Sequence, residues 1–108
     1  LAGLPVPESM HGRSWKPLAA GRTPDTWRTS FVAHYYKELG PTPTCVALRT
    51  ADSKLVVYPG HPEWTEVFDL AADPYEMQNL ASGTTLREAL RKELDTRMSE
   101  IALDMPRR

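Results

Sequence analysis

Histidine, cysteine and carboxylate side chains are where this chain could do chemistry, and their spacing limits what chemistry is open. His11, His34 and His61 are spread through 108 residues, and no two stand at the four-residue or short-gap spacing that presents a pair of metal ligands. Glu66, Asp69, Asp73 and Glu76 lie close together. Asp73 directly precedes Pro74, however, so it reads as an N-cap with Glu76 in the turn that follows. The single cysteine, Cys45, excludes an internal disulfide framework. Neither a nucleophile–base pair nor a metal cluster can be assembled from these residues. No catalytic residue, metal ligand or cofactor site is therefore assigned to the chain, and alone it is expected to be inactive. One loop stands apart. In Pro59-Gly60-His61-Pro62-Glu63-Trp64 a titratable ring, a carboxylate and a large aromatic share a short connection, a candidate edge for touching a sugar. His61 and Trp64 are the first choices for such contact and His34 the second. The competing reading is a turn whose tryptophan packs on the core.

The elements that must position these side chains can be read from periodicity. Trp27–Tyr36 is a strand candidate, with Phe31, Ala33 and Tyr35 on one face and Val32, His34 and Tyr36 on the other. Thr44–Thr50 and Lys54–Tyr58 form a central hairpin with Ala51-Asp52-Ser53 near its tip. Val46 and Leu48 share a face of the first strand, and Leu55 and Val57 a face of the second. Val67–Leu70 follows the loop, and Asp69 and Arg49 are expected to form a cross-strand ion pair. Residues 71–83 read as a capped turn and irregular chain. From Thr85 the period becomes helical. Thr85 and Glu88 make a capping box, and Leu86, Ala89, Leu90, Leu94, Met98, Ile101 and Ala102 form one apolar stripe. Glu88/Lys92, Arg91/Asp95 and Glu93/Arg97 stand at i,i+4 on the outer side, and the helix should end near Asp104, before Pro106. The expected fold is α+β: a roughly four-stranded antiparallel sheet packed on one face by a long C-terminal amphipathic helix.

Composition sets the class. Hydrophobic residues at 41%, charged residues at 25% and a net charge of −1 fit a globular chain and argue against nucleic acid or an anionic membrane surface as partner. No apolar run approaches the roughly 18 residues of a membrane span. The ten prolines fall between the proposed elements. Residues 1–26 read as an extended Pro/Gly-rich segment and 27–108 as the sheet-plus-helix unit. Leu1, Leu4, Val6, Trp15 and Leu18 are too apolar for a free tail.

The same residues carry a resemblance. Leu48-Arg49-Thr50, Lys54-Leu55-Val56-Val57-Tyr58, Glu66-Val67-Phe68-Asp69-Leu70, Asp73-Pro74-Tyr75-Glu76 and Asn79-Leu80 occur in this order, and the series resembles the C-terminal subdomain of the sulfatases. The stretch through Leu4-Pro5, Gly12-Arg13-Ser14, Pro17-Leu18 and Gly21 is similar to the family's crossing from its large catalytic domain into that subdomain. The resemblance makes Arg49, Lys54, Asp69, Asp73, Glu76 and Asn79 motif residues of a structural kind. It implies a parent enzyme that hydrolyses sulfate esters with a formylglycine nucleophile and a calcium ion, both held in an N-terminal catalytic domain absent from this chain. That domain and a sulfated substrate are the implied partners, and a periplasmic, secreted or lysosomal location follows from family habit alone. Loops of the subdomain could line the substrate cleft. Cys45 and Arg49 also stand at the spacing of the family's Cys-x-Pro-x-Arg modification motif, but Ala47 replaces the proline and the run reads as the start of a strand. The alternative function is an independent sheet-plus-helix binding module. A bare apolar N-terminal segment and an unpaired sheet edge would favour the subdomain reading.

Overall fold

Val46, Leu48, Leu55, Val57 and Val67 alternate with polar or smaller residues, so folding them as strands turns all five to one side. In the computed structural model, which describes residues 3–37, 40–102 and 105, these side chains form the core together with Leu90, Leu94 and Met98. The strands are β1 (Ser30–Tyr35), β2 (Cys45–Thr50), β3 (Ser53–Val57) and β4 (Glu66–Asp69). They form one antiparallel sheet in the order β1-β2-β3-β4. A four-residue helix, α1 (Lys16–Ala19), precedes the sheet, and a 17-residue helix, α2 (Thr84–Glu100), follows it. The expected α+β architecture is present, with α2 packed on one face.

Register determines which side chains share a row. On the face under α2, Val32, Leu48, Leu55 and Val67 stand side by side, and His34, Val46 and Val57 form the next row. On the other face one row holds Phe31, Arg49, Lys54 and Phe68, and another holds Ala33, Ala47, Val56 and Glu66. Ser30 links the first strand to α2. Its hydroxyl donates to Glu93 at 2.6 Å and accepts from Arg97 Nε at 3.0 Å.

The structure corrects several local expectations. β1 begins at Ser30, because residues 24–27 are taken into a turn closed by Trp27 N donating to the Pro24 carbonyl. The helix begins at Thr84 behind Gly83, with no side-chain cap. Thr85 lies inside the first turn, so the Thr85/Glu88 capping box is not formed. Ala89 and Ala102 are exposed and leave the apolar stripe narrower than its sequence pattern. Two of the three predicted helix pairs close, Arg91–Asp95 at 3.1 Å and Glu93–Arg97 at 3.9 Å. The expected Arg49–Asp69 pair does not form, because β3 runs between β2 and β4. Asp69 instead accepts the backbone N–H groups of Ala71 and Ala72. The predicted helix end near Asp104 and the apolar Leu1 lie outside the described residues.

Candidate functional site

Two ends of the sheet carry different kinds of residue. At the hairpin-tip end stand the motif side chains, and each holds backbone or a neighbour in place. Thr50 Oγ1 accepts the Ser53 N–H at 2.9 Å, tightening the β2–β3 turn. Asp73 accepts the Gln78 N–H at 2.7 Å, and the turn it shapes puts Glu76 at φ 56°, a left-handed backbone uncommon for a residue with a Cβ. Glu76 thereby reaches Lys54, pairing with its ammonium group; the same ammonium lies 5.1 Å from the centroid of the Phe68 ring. Asn79 accepts the N–H groups of Val67 and Ala81 and donates to the Thr65 carbonyl. Leu80 N–H donates to the Val67 carbonyl, so the outer edge of β4 is closed. The sequence placed Glu76 in a helical turn, but its carboxylate serves as the counter-ion of Lys54.

The opposite end is built by the loop between β3 and β4. Pro59 and Gly60 occupy the centre of a turn closed by His61 N donating to the Tyr58 carbonyl at 2.9 Å. Proline suits its second position, and the φ of 83° at Gly60 is the reason glycine holds the third. Pro62–Trp64 then make one 3₁₀ turn. This geometry stacks the His61 ring on Trp64, with centroids 3.8 Å apart and planes 7° from parallel. The Tyr58 ring meets Trp64 edge-on at 5.9 Å. His61 Nδ1 lies 3.1 Å from Glu63 Oε1, and the Tyr58 hydroxyl donates to Glu66 at 3.3 Å. Trp64 remains 46% exposed. It packs on its own loop rather than in the core, which settles the choice between the two readings of the turn. His34 ends β1 in the row of Val46 and Val57, so the sheet brings it to this same end, edge-on to Tyr36 at 5.0 Å.

Electrostatics at this end favour neutral side chains. Burial, with Glu66 adding to it, raises the Tyr58 phenol above its ordinary 10.0, and burial and Glu66 likewise raise the Cys45 thiol above 9.0. A thiol so placed is not an activated nucleophile. Among the described residues no three His, Cys, Asp or Glu side chains converge as metal ligands. The calcium and formylglycine implied by resemblance do not fit the residues present, and no step is derived through them. Tyr58, the residue that braces Trp64, was missed in the sequence. Its place two residues past Val56, on the same strand face, was the available signal.

The arrangement has known relatives. The family described as N-sulphoglucosamine sulphohydrolase, C-terminal, matches residues 1–104. The chain is 40% identical over 86 residues to an N-acetylglucosamine-6-O-sulfatase of Bacteroides thetaiotaomicron, covering 73% of this chain and 15% of that enzyme. It also superposes on a structure solved in complex with its substrate D-glucosamine-2-N,6-O-disulfate, with TM-score 0.81 and 30% identity over 94% of this chain and 22% of that one. A 2-O GAG sulfatase shares the fold, with TM-score 0.77 and 23% identity over 99% of this chain and 25% of that one. The chain thus spans a quarter or less of the length of these relatives. A family match along nearly the whole chain, on a sheet and helix shared with solved sulfatases, identifies it as a member of the N-sulphoglucosamine sulphohydrolase C-terminal family, a sulfatase C-terminal subdomain.

Proposed function

We propose that this subdomain serves a sulfuric ester hydrolase whose N-terminal catalytic domain carries the nucleophile and metal, and that its β3–β4 loop lines the substrate cleft. The 6-O-sulfatase relative and the structure bound to a glucosamine disulfate support sulfated glucosamine as the substrate class of the parent. The observation that carries the loop's part is the exposed His61–Trp64 stack, braced by Tyr58. A pre-packed ring presents a flat apolar face to a pyranose at little cost in side-chain entropy. His61 adds an N–H donor for a hydroxyl or sulfate oxygen, and His34 stands second in line from the end of β1. Periplasmic, secreted or lysosomal residence is part of the same reading. The apolar N-terminal segment, with Leu4 79% and Trp15 58% exposed, supports the subdomain over an independent binding module.

The test is hydrolysis of p-nitrophenyl sulfate and of 6-O-sulfated N-acetylglucosamine, with calcium, by the 108-residue chain and by the longest natural polypeptide containing it. Activity in the long polypeptide alone is expected. There, Trp64→Ala should raise KM for the sulfated sugar about 10-fold or more while leaving turnover of the small aryl ester nearly unchanged. Turnover by the short chain would overturn the proposal, as would equal KM values for wild type and Trp64→Ala.

A further inference from the structure

The sheet face turned away from α2 has an unfinished charge row. Phe31, Arg49, Lys54 and Phe68 stand side by side across the four strands, which sets two cations directly opposite each other. Like charges in that position repel. Lys54 is neutralised by Glu76 and lies near the Phe68 ring. Arg49 has neither kind of relief: its Nη1 is buried and has no hydrogen-bond partner among the described residues. Leaving a buried donor of a charged group unmade costs about 1–3 kcal/mol or more. Arg49 also borders a pocket that takes in Trp27, Arg28 and Phe31, so a second guanidinium stands there and no carboxylate does. Around this cationic centre the surface is apolar. Phe31 is 48% and Tyr35 39% exposed, and Ala33 between them is exposed as well. The outer edge of β1 carries no backbone hydrogen bond among the described residues, in contrast to the closed edge of β4.

We infer that this bare face, centred on Arg49 and flanked by Phe31 and Tyr35, docks against the catalytic portion of the parent sulfatase, which supplies a carboxylate to the Arg49 guanidinium. Three observations select that occupant. The chain covers only 15–25% of its relatives, so most of a sulfatase is available to cover the face. The cationic centre calls for an acidic group, and a planar guanidinium matches a carboxylate with two parallel hydrogen bonds. The apolar rim suits a folded protein surface better than a water-borne anion. The inference rests on the subdomain reading, but its test requires no turnover.

Hydroxyl-radical footprinting reads side-chain exposure directly. Phe31 and Tyr35 should be labelled in the 108-residue chain and at least 5-fold less in the longest natural polypeptide containing it. Arg49→Gln in the long polypeptide should restore labelling toward the short-chain level, while Arg49→Gln in the short chain leaves its thermal melt within a degree or two. Equal labelling of both wild-type proteins would overturn the inference. So would protection in the short chain that rises with protein concentration, which would assign the face to a second copy, and protection that needs an added sulfated oligosaccharide, which would assign it to a ligand. A long polypeptide with protected Phe31 but no sulfatase activity would sink the functional proposal and leave the docking face standing; an active one with labelled Phe31 would do the reverse.

Discussion

The two faces of the sheet use the same strands to different ends. The face under α2 is finished: Leu48, Leu55, Val46, Val67 and Leu94 are almost wholly buried, and its one polar link, Ser30 with Glu93 and Arg97, has its donor and acceptor both engaged. The face opposite is finished only on the β4 side, where Phe68 is covered and Lys54 is paired. On the β1 side it keeps exposed aromatics and an unpaired arginine. Side-chain alternation alone cannot produce this difference, since both faces have apolar rows. What separates them is that one row's polar members all find partners within the chain and the other's do not. Incompleteness of that kind, localised to one half of one face, distinguishes a subdomain built for an intramolecular neighbour from a free-standing module.

Mutations that break the contrast should do so unequally. The largest loss of stability is expected on the finished face: Leu94→Ala should cost about 2–5 kcal/mol in urea unfolding of this chain, through lost burial and the cavity left behind. Asn79→Ala should come next, at about 1–3 kcal/mol, because it removes the acceptor of the Val67 and Ala81 N–H groups together with the donor to Thr65. Hydrogen exchange should locate its effect in β4. Glu76→Gln should cost less than about 1 kcal/mol, and the difference from wild type should shrink in 1 M salt, because the Lys54 pair is partly exposed. Phe31→Ser should have the smallest effect on the short chain, within about 0.5 kcal/mol. A cost as large as that of Leu94→Ala would mean the bare face is already packed and the contrast false.

Alkaline titration sharpens the same picture at the loop end. Cys45 and Tyr58 both have folded-state values raised above the ordinary 9.0 and 10.0. The unfolded chain therefore gives up these protons first, and their contribution is complete below pH 9 and fades as pH climbs through and beyond 10. Urea midpoints measured from pH 8 to 11 should fall, and Tyr58→Phe should flatten the upper part of that decline. An unchanged slope in the variant would exclude Tyr58 as its source.

The strands and α2 were legible in the sequence because each has one consistently apolar face: the 2-residue alternation of Val46/Leu48 and Leu55/Val57, and the 3–4-residue spacing of Leu90, Leu94 and Met98. What failed was local and polar. Thr85 carries the right residue for a cap, but tertiary bonding of Gly83 N–H to the Leu80 carbonyl starts the helix one residue earlier than the sequence pattern. The Arg49–Asp69 pair looked sound as two charges on strands, yet strand order, which one-dimensional patterning does not encode, puts β3 between them. His61 and Trp64 were singled out for sharing a loop. Their stacking depends on the φ of Gly60 and on Tyr58, which only three-dimensional closure brings into play.

The Ser30 bridge to Glu93 and Arg97 spans 63 and 67 positions of chain, and the covering residues Leu90, Leu94 and Met98 all follow the last strand, which ends at Asp69. On a ribosome the sheet can therefore pair completely before its lid exists. At about 5–20 residues per second, the stretch from Asp69 to Met98 takes roughly 1.5–6 seconds to synthesise. For that interval every nascent copy carries an uncovered valine–leucine surface with both faces of its sheet bare. Rare codons or ribosome pausing within residues 70–98 would lengthen that window and so raise aggregation without changing a single contact of the finished fold.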